Sequence, residues 1–244
     1  MSLRIIRVVL AFVAAMLAAA GAARAQSLTV VELFTSHGCG ACFKADHVLA
    51  DLTGRDDILA ITWPVSWDYL GPEDGAAIEA SVKRQKSYNR RLDVTGVYSP
   101  QMIIDGRSHA VGTKAALVAA KIGEAESLRR GTASVMLTRN GDRIAVSITG
   151  EPAARPASVL LVWFDSEWWP SAPQREDTAP APYFNLVRGS QELGQWTGGA
   201  AEFSAPFDWV TADSCDQVAV ILQEAGTGPV IAAYKLKVGK LPGN

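Results

Sequence analysis

From residue 28 onward the chain alternates short apolar runs with amphipathic stretches, and the two repeat with different periods. Leu28-Thr-Val-Val-Glu-Leu-Phe34 is a short, mostly apolar run that reads as a buried strand. Phe43, Val48, Leu49 and Leu52 fall at helical spacings with Gly54 as a stop, which predicts a helix from about Ala41. Ile58-Leu-Ala-Ile-Thr-Trp-Pro-Val65 is again apolar and β-branched, with Pro64 near its end where a missing donor is tolerated. Strand, helix, strand in this order predicts a parallel pair with a right-handed crossover.

Trp67-Asp-Tyr-Leu-Gly-Pro72 reads as a loop before a second helix, Glu73 to Leu92, with Ala77, Ile78, Val82 and Tyr88 inward and Lys83, Arg84, Lys86 and Arg90 on a solvated face. A strand after Ser99-Pro100 then ends in an Asp105-Gly106 turn, and Ala110 and Val111 belong to the return strand. Thr113 is expected to cap a third helix from Lys114 to about Leu128. From Ala133 the period drops to two. Ser134-Val-Met-Leu-Thr138, Arg143-Ile-Ala-Val-Ser-Ile-Thr149, Ser158-Val-Leu-Leu-Val-Trp-Phe164, Gln217-Val-Ala-Val-Ile-Leu222 and Val230-Ile-Ala-Ala-Tyr-Lys-Leu236 read as strands, and Pro170 to Pro182 as a loop. The chain therefore reads as an α/β domain, 26–130, followed by a β-rich domain of sandwich type, 131–244.

The segment before residue 26 has a different character. Arg4 and Arg7 precede an apolar stretch from Val8 to Ala20, and Ala23-Arg24-Ala25 makes a small-x-small cleavage site. Residues 1–25 read as a signal peptide, which predicts a periplasmic or secreted protein without a stable membrane anchor after cleavage. The net charge of −2 becomes −5 once Arg4, Arg7 and Arg24 are removed with no acidic residue. A mildly acidic chain without a basic stripe argues against nucleic acid as a partner.

An exported chain with three cysteines has too few for a disulfide scaffold, and the number is odd. Cys39 and Cys42 form a Cys-x-x-Cys between the first strand and the first helix. Zinc would need two more nitrogen or sulfur ligands, and Cys215, His37, His47 and His109 are scattered without ligand spacing, so no metal site is expected. A thiol at a helix N-terminus has its thiolate stabilised by free N–H groups and the helix dipole. That points to Cys39 as the attacking thiol and Cys42, one turn further in, as the resolving thiol, with no bound cofactor required.

Several neighbours carry two readings each. Protonated His37 would favour the Cys39 thiolate, or it is a surface loop residue. Glu32, inside an apolar strand, would accept a proton from Cys42, or it faces an edge. Trp63 and Trp67 would line a substrate groove, or they pack in the core. Cys215 is a buried structural thiol or a third redox thiol. The later aromatics Trp163, Phe164, Trp168, Trp169, Trp196 and Trp209 suit a sandwich core better than a binding surface.

The order of elements, together with Phe34-Thr-Ser-His-Gly-Cys39-Gly-Ala-Cys42 and Ser99-Pro100, resembles the thioredoxin-like superfamily. Glu32-Leu-Phe-Thr-Ser36, Ala45-Asp46, Trp67-Asp-Tyr-Leu-Gly71, Gly96-Val-Tyr-Ser-Pro-Gln101 and Gly226-Thr-Gly-Pro229 resemble, over nearly all of the mature length, a bacterial secreted thioredoxin-like family catalogued as a domain of unknown function. Gly40-Ala41 between the cysteines and Phe43 after them depart from the small residues and proline of that family. The resemblance implies a cis Ser99-Pro100 bond beside the disulfide, where Ser99 and Pro100 meet an extended substrate peptide. It implies a thiol–disulfide oxidoreductase whose partners are periplasmic protein thiols or disulfides and a redox partner. The alternative is a non-catalytic binding protein on the same scaffold, holding Cu(I) or a structural disulfide.

Overall fold

The computed structural model describes residues 28–66, 75–129, 131–170, 180–212 and 215–239, so the expected signal peptide and Trp67 lie outside the described residues. The elements run β1 (Thr29–Thr35), α1 (Cys42–Thr53), β2 (Ile58–Pro64), α2 (Gly75–Arg91), β3 (Gln101–Ile104), β4 (Ser108–Val111), α3 (Ala115–Leu128), β5 (Ala133–Asn140), β6 (Arg143–Gly150), β7 (Ala157–Trp168), β8 (Tyr183–Trp196), β9 (Ala201–Pro206), α4 (Asp208–Ala212), β10 (Gln217–Glu224) and β11 (Val230–Lys237). Gly54 ends α1 as the sequence predicts. Lys114, not Thr113, occupies the N-cap of α3, with no side-chain hydrogen bond there.

Eight strands form one sheet in the order β11-β10-β7-β8-β2-β1-β3-β4, and β5-β6-β9 form a second. Among the described residues most helices lie before residue 131 and most strands after it, and the large sheet runs across that point. β8 lies parallel to β2 at the register Thr62↔Leu186. Two side chains reinforce the join: Thr62 Oγ1 donates to the Phe184 carbonyl at 2.9 Å, and Asn185 Nδ2 donates to the Ala60 carbonyl at 2.7 Å.

Strand alternation sorts the core. Val31 and Leu33 of β1 meet Ala45 and Leu49 of α1 and Val118 and Ile122 of α3 on one face. Val30 and Phe34 meet Trp63, Tyr88 of α2, Phe164 and Ile221 on the other. Where no helix covers β7 and β10, the three-stranded sheet does: Val135, Leu137 and Val146 pack with Leu161, Val218 and Val220 in a sheet-on-sheet core.

Polar groups stitch the early and late parts of the chain together. Fully buried Glu32 receives Arg84 Nε at 2.5 Å and Nη2 at 3.0 Å, and the Tyr88 hydroxyl donates to the same carboxylate. Arg84 also reaches Gln223 Oε1 at 2.9 Å, while Gln223 Nε2 donates to Tyr88 Oη at 2.8 Å and to the Gly228 carbonyl at 2.7 Å. Burial pushes the Tyr88 phenol upward against the pull of Arg84. Nearby, Asp105 accepts the Val30 N–H at 2.7 Å and pairs with Arg129 at 3.3 Å, and its carbonyl accepts the Val230 N–H at 2.8 Å. Gly106 has φ +62°, and a Cβ there would run into the Gly228 carbonyl and Gln223 Nε2, so this turn requires glycine.

Candidate functional site

The site grows from the carboxyl end of β1. The strand runs out through Ser36 and His37, Gly38 at φ +73° turns the chain back, and Cys42 opens α1. Cys39 and Cys42 form a disulfide with Cα atoms 5.2 Å apart. Cys42 is fully buried and Cys39 half-buried, so the sulfur nearer the solvent is the one an incoming thiolate meets. The Cys42 N–H points at Cys39 Sγ from 3.2 Å and at the Cys39 carbonyl from 2.9 Å. No acidic residue stands in the first turn of α1, so nothing anionic competes for its N-terminal donors.

Two other loops come to this end. Ser99-Pro100 is a cis peptide bond, with Pro100 buried and Ser99 half-buried. The Gly112 N–H donates to the Pro100 carbonyl at 3.0 Å. A Cβ on Gly112 would lie 2.8 Å from Ala45 Cβ and 3.3 Å from Pro100 Cβ, so proline and α1 border the same small space three residues past Cys42. Buried amides of α2 hold the approach to this bond. Gln85 donates to the Tyr98 carbonyl at 2.9 Å and to Gln101 Oε1 at 3.0 Å, Gln101 donates to Asn89 Oδ1 at 2.7 Å, and Asn89 donates to the Gly96 carbonyl at 2.9 Å.

The late part of the chain also reaches the site. His37 Nδ1 and the Tyr183 hydroxyl share a hydrogen bond at 3.0 Å, and the Tyr183 ring stands 6.0 Å from that of Trp168. His37 is thus held by β8 rather than left loose in the loop.

Glu32 is corrected. It lies on the sheet face of Val30 and Phe34, opposite α1, and its carboxylate is taken up by Arg84 and Tyr88, so it does not serve Cys42. A different carboxylate stands on the correct side. Asp46 follows Cys42 by four residues on α1, and its Oδ1 is buried without a hydrogen bond, as are Thr35 Oγ1, Trp63 Nε1 and Ser66 Oγ. Burial raises its pKa from 3.8 to about 7, against a smaller lowering by the neighbouring Thr35 hydroxyl. Its sequence signal was the spacing Cys-x-x-x-Asp, which puts both side chains on one helix face.

Trp63 is a core residue, 1% exposed and stacked 6.3 Å from Phe34. Cys215 forms no disulfide and is buried in the sheet-on-sheet core. Trp196 and Phe164 are core, Trp163 and Trp209 pack against it, and Trp169 is 57% exposed. Among the described residues no three His, Cys, Asp or Glu side chains gather as a metal site.

The chain is similar to the crystal structure of protein AGR_C_4864 from Agrobacterium tumefaciens, with a TM-score of 0.73 and 27% identity, over 89% of this chain and 98% of that one. It is also similar to HBP35 of Porphyromonas gingivalis, with a TM-score of 0.60 and 14% identity over 87% and 76% of the two chains, a likeness of fold. No curated protein matches it. The family model described as "Protein of unknown function (DUF1223)" matches residues 30–223, and the chain belongs to that family.

Proposed function

We propose that the protein is an exported, thioredoxin-like thiol–disulfide oxidoreductase that exchanges disulfides with periplasmic proteins through Cys39 and Cys42. The observation that carries this reading is the Cys39–Cys42 disulfide at the start of α1, with the Cys42 N–H directed at Cys39 Sγ. That N–H and the helix dipole would stabilise Cys39 as a thiolate, both as leaving group and as nucleophile. A substrate thiolate attacks Cys39 Sγ, the Cys39–Cys42 bond breaks, and its electron pair goes to Cys42. A second substrate thiolate then displaces Cys39 and leaves the substrate oxidised and the dithiol reduced. Reduction of a substrate disulfide is the same path reversed. The cis Ser99-Pro100 bond and its buried amide supports fit a fixed wall for an extended peptide next to the sulfurs. After substrate oxidation a partner disulfide takes the electrons from the reduced dithiol, and after substrate reduction a partner dithiol returns them, so the chemistry needs no bound cofactor.

The test is thiol trapping of the chain from Gln26 in glutathione buffers, with Cys39→Ser and Cys42→Ser. Cys42→Ser is expected to accumulate a mixed disulfide on Cys39, and Cys39→Ser to accumulate none. An unreactive Cys39 in the reduced protein defeats the reading. Stoichiometric Cu(I) retention that needs both cysteines would favour the binding alternative. Export is tested separately by N-terminal sequencing of the periplasmic product, which should begin at Gln26.

A further inference from the structure

A second arrangement lies at the other end of the large sheet. Arg129 Nη2 donates to Thr29 Oγ1 at the start of β1, whereas Cys39 follows the end of that strand, so the seven residues of β1 separate the two places. Here a cleft of about 390 Å³ opens between the β3–β4 turn, the end of α3, the β6–β7 connection and the start of β11. We propose that this cleft binds a small organic acid, with Arg107 and Arg155 holding its carboxylate and Leu128, Ile231 and Trp196 covering its apolar body. The assignment does not use the sulfurs and goes beyond the oxidoreductase reading.

Arg107 carries the first argument. Its Nε is buried without a hydrogen-bond partner, although buried polar groups are normally paired. A guanidinium presents its donors as a planar fork that a carboxylate meets with two parallel bonds. Among the described residues neither Arg107 nor Arg155 has a carboxylate within ion-pair distance. Asp105 feels the Arg107 charge, but its oxygens take the Val30 N–H and Arg129. Glu224 also lines the cleft, and it attracts Arg91, whose pKa is lowered by burial and by the Arg107 charge. Glu151, the other acidic residue of the lining, is exposed. Two guanidinium groups without ion pairs thus face one exposed carboxylate, and an anion of matching shape would complete them.

Backbone hydrogen bonds fix the frame around these groups. The Arg107 N–H donates to the Ile104 carbonyl at 2.8 Å and closes the β3–β4 turn. The Glu151 and Ala153 N–H groups donate to the Thr132 and Thr197 carbonyls at 3.0 and 3.1 Å, and the Pro156 carbonyl accepts the Ala225 N–H at 3.0 Å. The connection that carries Arg155 is therefore pinned on both sides of it, which lowers the ordering cost of binding. The other walls are apolar. Trp196 Nε1 is already bonded to the Gly199 carbonyl at 3.1 Å, so its ring offers the cleft only apolar surface. Leu128 is 56% exposed, and a ligand body would cover it. Apolar walls with a few convergent polar groups, at a seam between two parts of a chain, are what small-molecule sites share. An inorganic anion would use the arginines and leave those walls wet, which favours an acid with an apolar body.

Calorimetric titration of the mature, oxidised protein at fixed ionic strength tests this with phenylacetate, octanoate, phenylacetamide and inorganic phosphate. At least one of the carboxylates should bind at one site per chain, and neither the amide nor phosphate should match it. Arg107→Met and Arg155→Met should each weaken that carboxylate at least about 10-fold, the loss expected when a charge-assisted hydrogen bond is removed. Cys39→Ser should bind it as the wild type does. Arg107→Met should also leave the urea unfolding midpoint undiminished, and a clear drop would make Arg107 a structural residue and overturn its role as a ligand. No binding of either carboxylate at millimolar concentration, phosphate binding as tight as theirs, or binding that survives both substitutions overturns the proposal.

Discussion

Two buried polar regions of this protein treat their hydrogen bonds in opposite ways. Around Glu32, Arg84, Tyr88 and Gln223, each of these side chains has named partners, and Arg84 lies over the rings of Trp63 and Tyr88 at 5.4 and 5.0 Å. Around the carboxyl ends of β1 and β2, Thr35, Asp46 and Ser66 each carry a buried atom with no hydrogen bond. Buried polar groups are usually paired because leaving one unpaired costs about 1–3 kcal/mol. A satisfied network fixes one arrangement of the chain. Unsatisfied groups at the end of the sheet that carries the disulfide leave that end less firmly fixed, and the contrast separates the network that holds the fold from the end that holds the sulfurs.

The sharpest way to break the contrast is at Arg84. Arg84→Ala leaves the Glu32 carboxylate buried without its counter-ion and should cost about 3–5 kcal/mol in urea unfolding. The double variant Glu32→Gln with Arg84→Met should recover much of that loss, and equal losses in both would show that the charge pair is not what holds the seam. Asp46 should respond in the opposite sense. Its folded-state pKa is raised, so the unfolded carboxyl loses its proton from about pH 4 while the folded one keeps it until about pH 7. Stability of the oxidised protein should therefore fall as pH rises through that window, by up to roughly 4 kcal/mol, and level off above it. Asp46→Asn should flatten this dependence, and an unchanged slope would show that another group sets it.

Smaller effects refine the picture. Gly106→Ala should lose about 2 kcal/mol, because it joins a left-handed φ to a clash with Gly228, and the loss should appear in unfolding without changing Cys39 reactivity. Tyr183→Phe removes one hydrogen bond to His37 and should cost about 1 kcal/mol. A change in the reactivity of Cys39 in Tyr183→Phe, read by thiol trapping, would draw β8 into the chemistry as well.

Much of the element order was legible because apolar period follows strand and helix directly, as at β1, α1 and β2. β8 was not, because its middle, Arg188-Gly-Ser-Gln-Glu192, is polar and glycine-containing; it is a strand through its long antiparallel pairing with β7, which is a tertiary fact. The Cys39–Cys42 disulfide was legible from the spacing of two thiols one helical turn apart, and the cis Ser99-Pro100 bond from the resemblance and not from any spacing. Glu32 misled for a definite reason: alternation says that it faces away from Leu33 but not which face α1 covers. The burial of the Asp46 carboxyl was not legible because it is decided by the elements closing over it, and His37 acquired its partner from a residue 146 positions away.

The parallel join between β2 and β8 has a practical consequence for anyone who would trim the protein. A fragment ending at residue 129 would strip β8 from β2, removing the Thr62↔Leu186 pairing and the Asn185 bond to the Ala60 carbonyl and baring the edge of Ile58–Pro64, whose every residue is buried in the whole protein. A bare apolar edge of this kind recruits other strands, so the cysteine-bearing fragment should aggregate instead of working as an isolated redox module.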